Sequence, residues 1–334
     1  MKAVRVPKEE AEIIRKRLSN LGVFDSSRKI VRNGDFIELP ITNMPTTNTT
    51  EYDSIEQYKP IMRNSNINLN QLLDGVLSRD ELEKLPQGWQ IIGDIIIVSI
   101  PATLQKRKKE IGNALLELYP RCKTSLMTKG VTGRYRQPNV ETIAGDGTET
   151  IHRENSCLFK LDASKIMFSP GNLEERRRMS KLGKGTIVDM FAGIGYFSIP
   201  MAIHSHPKRV IAIEINPLAY NYLCENIELN DVERIVQPIH GDCASVTPVG
   251  LADRVIMGSF EAFEYLEQGF SALKSSGILH YHETTPEKLV FDRPIRRILG
   301  SAAKLGRSVK ILGLNKIKKY SPGVWHVVVD AQVF

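Results

Sequence analysis

Cysteine is scarce in this chain of 334 residues, and its four copies show no C-x-x-C spacing. This scarcity argues against a structural zinc site or a disulfide framework, so we expect no metal. We interpret Cys122, Cys157 and Cys224 as core thiols. Cys243 is set apart only by its neighbour, Asp242.

Long hydrophobic runs are also missing. No apolar run approaches the length of a membrane span, and the segment Met1–Pro7 lacks the apolar core of a signal peptide. The hydrophobic fraction of 42% and the charged fraction of 25% are typical of soluble globular proteins. We therefore expect a cytoplasmic protein of two or three domains, and nothing in the sequence demands more than a monomer.

Composition divides the chain into four predicted segments. The turn signal at Asn33-Gly34 separates two strand candidates near the N-terminus. A stretch rich in Thr, Asn, Ser and Pro follows, which is typical of a linker. The predicted segments are a small N-terminal module, a flexible linker, an α+β domain and a C-terminal catalytic domain, over residues 1–41, 42–70, 71–163 and 164–334.

Strand and helix patterns alternate regularly in the C-terminal segment. This alternation predicts an α/β, Rossmann-like domain with a mostly parallel, doubly wound sheet, whose ligands bind at the carboxyl ends of the strands. The predicted strands span residues 186–190, 209–213, 235–240, 253–257, 277–281, 308–314 and 324–333. The predicted helices span residues 173–181, 196–203, 217–229, 260–273 and 293–304.

The most informative segment is Val188–Pro200, in which an apolar strand runs into a turn that contains Gly193 and Gly195. Glycine has no Cβ, so such a turn can bend tightly and bring its backbone against a ligand. The next apolar run ends at Glu214, where nucleotide-binding units place the acid that accepts hydrogen bonds from ribose hydroxyls. With Asp189 before the turn, the pattern predicts an adenosine-containing cofactor.

The spelling of the turn narrows the choice of cofactor. Ser198 stands where the fingerprint G-x-G-x-x-G requires its third glycine. The run from Asp189 to Gly193, with Phe191 at its centre, instead resembles the first motif of class I S-adenosylmethionine (SAM) enzymes. That resemblance implies that the turn, with these three residues, holds the amino-acid end of SAM and that Glu214 holds its ribose. A nicotinamide-dependent dehydrogenase is the lesser interpretation.

Basic residues outnumber acidic ones, and the formal net charge is +7. A single basic cluster is most often a solvated face, but five clusters beside a SAM-type fold favour an RNA partner. They lie at Lys106–Lys109, at Arg134 with Arg136, and at Arg176–Lys184, Arg293–Arg297 and Lys316–Lys319.

Two further places are candidates for ligand contact. Asp242 follows a predicted strand and resembles the acid that contacts the adenine amino group in SAM folds; the alternative is a helix N-cap. Ser169 and Pro170 start a predicted helix whose N-terminus can receive an anion. Arg176, two turns later, is placed to bind a carboxylate or a phosphate with both arms of its guanidinium, or to lie on an exposed surface helix.

Several short sequence motifs indicate which enzyme family the chain resembles. From about residue 86 onward the chain resembles archaeal enzymes of the wybutosine pathway, which modify the base at position 37 of phenylalanine tRNA. Residues 1–41 resemble the N-terminal module of the related tRNA guanine-37 methyltransferases. Those methyltransferases carry an Arg-Leu-type pair where this chain has Gly171-Asn172, and Asn-Leu-Pro where it has Met257-Gly258-Ser259. The spellings that resemble the aminocarboxypropyltransferases of the pathway also include His280–His282, Thr285–Lys288 and Lys319–His326.

The resemblance implies transfer of the 3-amino-3-carboxypropyl group of SAM to carbon 7 of 4-demethylwyosine. Geometry decides which carbon on the sulfonium reacts, because the carbon in line with the nucleophile is attacked. The resemblance also implies contacts with the outer corner and the anticodon region of tRNA(Phe). It places Glu175 where the methyltransferases have a glutamate that serves as base. The SAM contacts that it implies are Ser169, Arg176, Glu214, Asp242 and, through its backbone, Cys243.

Alternatives to this activity remain open at the level of the sequence. A tRNA guanine-37 N1-methyltransferase would share the fold, the cofactor and the substrate site. A tRNA-binding protein that holds SAM without turnover, and the nicotinamide-dependent oxidoreductase, are different classes. Labelled SAM and cofactor binding distinguish all of them.

Overall fold

The computed structural model of the protein describes residues 1–43, 52–57, 60–61, 68–133 and 136–334. The chain forms two compact units, residues 1–77 and residues 78–334. Within the described ranges, no helix combines the length and apolar character that a membrane crossing requires. In the same ranges, no group of His, Cys, Asp and Glu side chains is arranged to hold a metal ion.

The first unit is a small antiparallel sheet covered by one helix. Its strand order is β2-β3-β1-β4, and Val6, Ile14, Leu18 and Leu39 are among the apolar residues of its core. The elements are β1 (Lys2–Pro7), α1 (Ala11–Asn20), β2 (Val31–Asn33), β3 (Phe36–Pro40), β4 (Ser54–Glu56) and α2 (Leu69–Leu73).

Two strands of this unit differ from the sequence prediction. β1 was not predicted, because six residues with few apolar alternations give a weak signal. β4 lies inside the predicted linker and pairs with β1; only one of its three residues is apolar, so periodicity could not reveal it. Most of the predicted linker, residues 42–70, lies outside the described residues. The turn at Asn33-Gly34 is confirmed, since β2 and β3 pair on either side of it.

The second unit begins with a four-stranded sheet of order β5-β6-β7-β8, in which only β6 and β7 are parallel. The chain forms two short helices before this sheet, over Leu69–Leu73 and Arg79–Leu82. The second begins at a capping box of Ser78 and Glu81, which satisfies its first amides. The elements are α3 (Arg79–Leu82), β5 (Trp89–Ile92), β6 (Ile95–Val98), α4 (Lys108–Leu118), β7 (Thr124–Thr132) and β8 (Gln137–Gly145).

A hairpin of β9 (Glu149–Glu154) and β10 (Cys157–Asp162) follows. Phe159 and Leu161 of β10 are fully buried in the same core as Ile187 of the large sheet described below. The hairpin thus packs with the large sheet, and the domain boundary between residues 163 and 164 stays a prediction.

Two asparagines hold the hairpin. Asn226 accepts a hydrogen bond from the Lys160 amide at 2.6 Å and donates to the Lys160 carbonyl at 3.1 Å. Asn230 makes the same pair of bonds with Leu158, at 2.8 and 2.7 Å. Their side-chain amides thus replace a neighbouring strand along β10.

The large sheet has the order β13-β12-β11-β14-β15-β17-β16. Its first five strands are parallel and β17 is antiparallel to both neighbours. Apolar cores lie on both of its faces, which confirms the predicted α/β, doubly wound fold. The elements are α5 (Leu173–Ser180), β11 (Thr186–Asp189), α6 (Ser198–Ser205), β12 (Arg209–Glu214), α7 (Pro217–Leu229), β13 (Val236–His240), α8 (Cys243–Val246), β14 (Ala252–Met257), α9 (Leu266–Ala272), β15 (Leu273–Pro286), α10 (Arg293–Lys304), β16 (Val309–Ser321) and β17 (Val324–Val333).

Candidate cofactor and substrate site

A cavity of about 330 Å³ lies at the carboxyl edge of β11, β12, β13 and β14. The turns that follow these strands line it, together with the segment before α5 and side chains of β16 and β17. Parallel pairing brings the four strand ends to one edge, as the register of Glu214 opposite His240 shows. The position is the one at which open α/β sheets bind ligands.

The turn after β11 is fixed by Glu214. The Gly193 amide donates a hydrogen bond to Glu214 Oε2 at 2.8 Å, and the Asn216 amide donates to Oε1 at 2.7 Å. Gly193 has a φ of 57°, and a Cβ on it would lie 2.5 Å from the Tyr196 ring. Burial raises the pKa of Glu214, although the two amides oppose the rise. The carboxylate is therefore held rigidly at the cavity wall, with lone pairs left for ligand hydroxyls.

Asp189 lies beneath this turn and does not line the cavity. Its carboxylate accepts hydrogen bonds from the Ser198 hydroxyl at 2.8 Å and from the Phe191 amide at 3.3 Å. Burial raises the pKa of Asp189 to about 6. Ser198, in the place of the third glycine, is thus a partner of Asp189, and the pair shapes the turn from below.

Asp242 and Cys243 both line the cavity. Asp242 is also the N-cap of α8, because its Oδ1 accepts a hydrogen bond from the Ala244 amide at 3.0 Å. The two interpretations of Asp242 are compatible, since the cap fixes the carboxylate where it reaches the cavity. Phe191 lines the same region and packs edge-on against Tyr265.

Arg176 reaches the cavity, but its guanidinium is engaged by the chain itself. It donates to both carboxylate oxygens of Glu154, at 2.5 and 2.7 Å, and to the Ser169 carbonyl at 3.0 Å. The side chain is buried and lies over the Phe168 ring. Arg176 therefore fixes the segment before α5, and its two arms are already occupied by a carboxylate.

Glu175, the expected base, lies outside the cavity. Both of its oxygens accept hydrogen bonds from Arg178, which also binds Asp330 at 2.6 Å. His280 binds the other oxygen of Asp330, and Arg254 binds His280. Burial raises the pKa of Glu175 against the effect of Arg178. The structure thus places this carboxylate in a buried ionic network.

The sequence prediction missed Lys318, Asn172 and Arg136, which all line the cavity. Lys318 Nζ donates a hydrogen bond to the Ser169 hydroxyl at 2.7 Å. Burial lowers the pKa of Lys318, and the charges of Arg176 and Arg136 act in the same direction. The only sequence signal for Lys318 was its place in the basic cluster Lys316–Lys319. The only signal for Asn172 was its place in the Gly171-Asn172 motif.

Aromatic rings form another wall of the cavity. Phe260 packs edge-on against Tyr320 at 5.1 Å and His326 at 4.9 Å between ring centres, and the Arg136 guanidinium lies 5.0 Å from its ring. His326 is buried against His282, at 3.1 Å between ring nitrogens. Burial and Lys318 lower the pKa of His326 to about 3. The ring is therefore neutral near pH 7, and this wall can stack against a planar base.

The fold and this site define a class I SAM-dependent transferase. The chain belongs to the TRM5/TYW2 family: the model of the TRM5/TYW2 methyltransferase domain matches residues 150–312. The model of the TYW2 N-terminal domain matches residues 69–148, and that of the tRNA methyltransferase 5 N-terminal domain matches residues 3–46.

The chain is similar in sequence or structure to three proteins of this family. The tRNA(Phe) (4-demethylwyosine(37)-C(7)) aminocarboxypropyltransferase of Methanocaldococcus jannaschii is 48% identical over 73% of this chain and 97% of its own length. The solved structure of P. horikoshii TYW2 in complex with MeSAdo has a TM-score of 0.73 and 37% identity, over 80% of this chain and 98% of that one. Trm5b from Pyrococcus abyssi also has a TM-score of 0.73 and 37% identity, over 100% of this chain and 99% of that one. The family resemblance found in the sequence is confirmed.

Proposed function

We propose that this protein transfers the 3-amino-3-carboxypropyl group of SAM to carbon 7 of 4-demethylwyosine at position 37 of tRNA(Phe). One observation carries the proposal. The relative that bears this activity in its name is 48% identical to the chain over 97% of its own length. The match therefore takes in nearly all of that enzyme.

The residues around the cavity fit SAM. Glu214 accepts hydrogen bonds from the ribose hydroxyls, and Asp242 accepts one from the adenine amino group. Phe191 and the backbone of Cys243 enclose the nucleoside, while Gly193 lets the turn approach it. Ser169 and Arg176 shape the opposite end, where polar groups from β16 and the segment before α5 converge.

SAM supplies an electrophilic carbon, and a bond forms between carbon 7 of the base and that carbon. The carbon–sulfur bond breaks, and its electron pair leaves on 5′-methylthioadenosine. The proton of carbon 7 passes to water. The protein contributes position rather than a strong base, because the expected base, Glu175, lies outside the cavity and is bound to Arg178. Holding the reacting atoms in line supplies much of the rate enhancement.

The tRNA contacts are proposed on chemical grounds. The wall of Phe260, Tyr320 and His326 accepts the tricyclic base, and Arg136 beside it attracts the phosphates of the anticodon region. The first unit contacts the outer corner of the tRNA. The proposal needs only one copy of the chain, because the residues named for the cavity all belong to it.

A double-label experiment tests the activity. The protein is incubated with tRNA(Phe) that carries 4-demethylwyosine and with SAM labelled by radiocarbon in the carboxyl group and by tritium in the methyl group. We expect radiocarbon in the tRNA and tritium in the released thioether. Tritium in the tRNA would contradict the proposal.

A tRNA guanine-37 N1-methyltransferase is the second candidate. It is favoured by one observation: Trm5b of Pyrococcus abyssi is 38% identical over 99% of this chain, including the N-terminal unit. The same labels on tRNA with an unmodified guanine at position 37 distinguish the two. Tritium incorporation there, without radiocarbon in the first substrate, would establish the methyltransferase.

A further inference from the structure

Lys318 reaches the cavity by crossing the segment before α5. A Cβ built on Gly171 would lie 2.6 Å from Lys318 Cδ and 3.1 Å from its Nζ. The φ of Gly171 lies outside the left-handed region, so the requirement for glycine here is one of space. Gly171 therefore opens the path by which Lys318 reaches Ser169.

Asn172, the next residue, presents an unsatisfied acceptor. Its Oδ1 is buried and has no hydrogen-bond partner among the described residues, while the side chain lines the cavity. A buried carbonyl oxygen without a donor is costly, and a ligand that donates a hydrogen bond removes the cost.

The charge of Lys318 is also uncompensated. Its ammonium has three donors, of which one is used on the neutral hydroxyl of Ser169. No carboxylate within the described ranges lies at ion-pair distance from it. Arg176, the other cation beside Ser169, is fully engaged by Glu154. Lys318 is thus a cation beside Ser169 with donors left for an anion.

We propose that Lys318 and Asn172 form the subsite for the amino-acid end of SAM, with Gly171 as the residue that admits Lys318. The Lys318 ammonium binds the ligand carboxylate, and Asn172 Oδ1 accepts a hydrogen bond from the ligand ammonium. Only the identity of the ligand rests on the proposed function. The subsite lies at the Gly171-Asn172 spelling that distinguishes this chain from the methyltransferases that it resembles.

Three ligands separate the two contacts: SAM, decarboxylated SAM, which lacks the carboxylate, and 5′-methylthioadenosine, which lacks the whole amino-acid end. Their affinities for the full-length protein are measured by isothermal titration calorimetry without tRNA. In Lys318→Met we expect SAM binding to weaken about ten-fold or more, as for a lost hydrogen bond to a charged group. Decarboxylated SAM and 5′-methylthioadenosine should keep their affinities.

Asn172→Leu should weaken SAM and decarboxylated SAM alike and leave 5′-methylthioadenosine unchanged. Gly171→Ala keeps the charge of Lys318 but displaces it, so it should reproduce the Lys318→Met profile. Combining the two should add little, because residues that act through one contact are not additive. Lys319→Met is the matched control, since the ammonium of Lys319 faces the Trp325 ring; all three affinities should remain unchanged.

The inference is overturned if Lys318→Met and Gly171→Ala both keep the wild-type preference for SAM over decarboxylated SAM. Failure of the proposed function has a different signature, because the wild-type protein would then bind no SAM or incorporate no radiocarbon into tRNA. If Lys318→Met or Gly171→Ala also loses affinity for 5′-methylthioadenosine, its cavity is damaged. The affinities of the other of these two variants then test the inference.

Discussion

Glu214 owes its position to two backbone amides, those of Gly193 and Asn216. Because the acid is built into the turn, it is placed before any ligand arrives, and little entropy is lost on binding. Glu214→Ala should therefore lower the affinity for SAM about ten-fold or more in a titration. Glu225→Ala, on the exposed side of α7, is the control. Wild-type affinity in Glu214→Ala would remove this residue from the site.

Arg176 and Glu154 form a buried pair, with exposed side-chain fractions of 3% and 12%. Removing one partner leaves the other charge unpaired, so Arg176→Met should lower the free energy of unfolding by about 3 kcal/mol or more. Adding Glu154→Met should recover most of that loss in chemical denaturation. Arg177→Met, on the exposed face of the same helix, should change little. A stable single variant would show that Arg176 serves ligand binding alone.

Asp189 makes stability depend on pH. Burial raises its pKa to about 6, above the value of about 4 for an exposed aspartate. The protonated form is thus favoured in the folded state, and its stabilisation is lost as the pH rises through about 6. Asp189→Asn does not titrate, so its unfolding free energy relative to wild type should rise by about 2 kcal/mol from about pH 4 to about pH 7. Thermal unfolding across that range measures the difference.

The control for that series is Asp253→Asn. Hydrogen bonds from Lys274 and the Thr186 amide lower the pKa of Asp253. Its stabilisation is therefore already complete above the pKa of an exposed aspartate, and the difference from wild type should be flat from about pH 5 to about pH 7. A flat profile for Asp189→Asn as well would contradict the raised pKa.

At the level of elements, local signals predicted the C-terminal domain closely. α7, α10 and β17 have the predicted bounds, because Pro at the first turn marks both helices and β17 is rich in valine. β15 and β16 extend well past their predicted ends. Their extensions contain His282, Glu283 and Lys318, polar residues that a single sequence gives no reason to place on long strands.

The same extensions explain which site residues were missed. The turns of Gly193, Glu214 and Asp242 follow parallel strands, so topology alone brings them together. Lys318 comes to Ser169 only through the register of an antiparallel hairpin, with shifts at Lys316–Lys318 and Lys319–Ser321. Hydrophobic periodicity does not reveal such irregularities. The sequence therefore predicted the cavity residues that follow the parallel strands, but not Lys318 on the opposite side of the cavity.

Asn226 gives a test at the scale of one element. Asn226→Ala leaves the Lys160 amide and carbonyl without partners, so the free energy of unfolding should fall by about 2 kcal/mol. Hydrogen exchange should accelerate along β10 more than in the parallel strands. Glu228→Ala, also on α7, should leave β10 protected. Unchanged exchange in Asn226→Ala would mean that apolar packing alone holds the hairpin.

For the whole molecule, we expect the two units to have different roles, with the first unit serving tRNA binding. The match to the M. jannaschii enzyme takes in 97% of that protein but 73% of this chain, so part of this chain has no counterpart in that match. Deleting residues 1–41 should raise the KM for tRNA more than it lowers the single-turnover rate at saturation. Truncated and full-length proteins with equal kinetics would contradict a tRNA role for the first unit.

The asparagine pair on α7 also bears on how the chain behaves among its own copies. An open strand edge presents unpaired amides and carbonyls, to which another chain can add by backbone pairing. Asn226 and Asn230 fill those positions on β10. One helix thus occupies the backbone groups of β10 that edge-to-edge pairing with another copy would need.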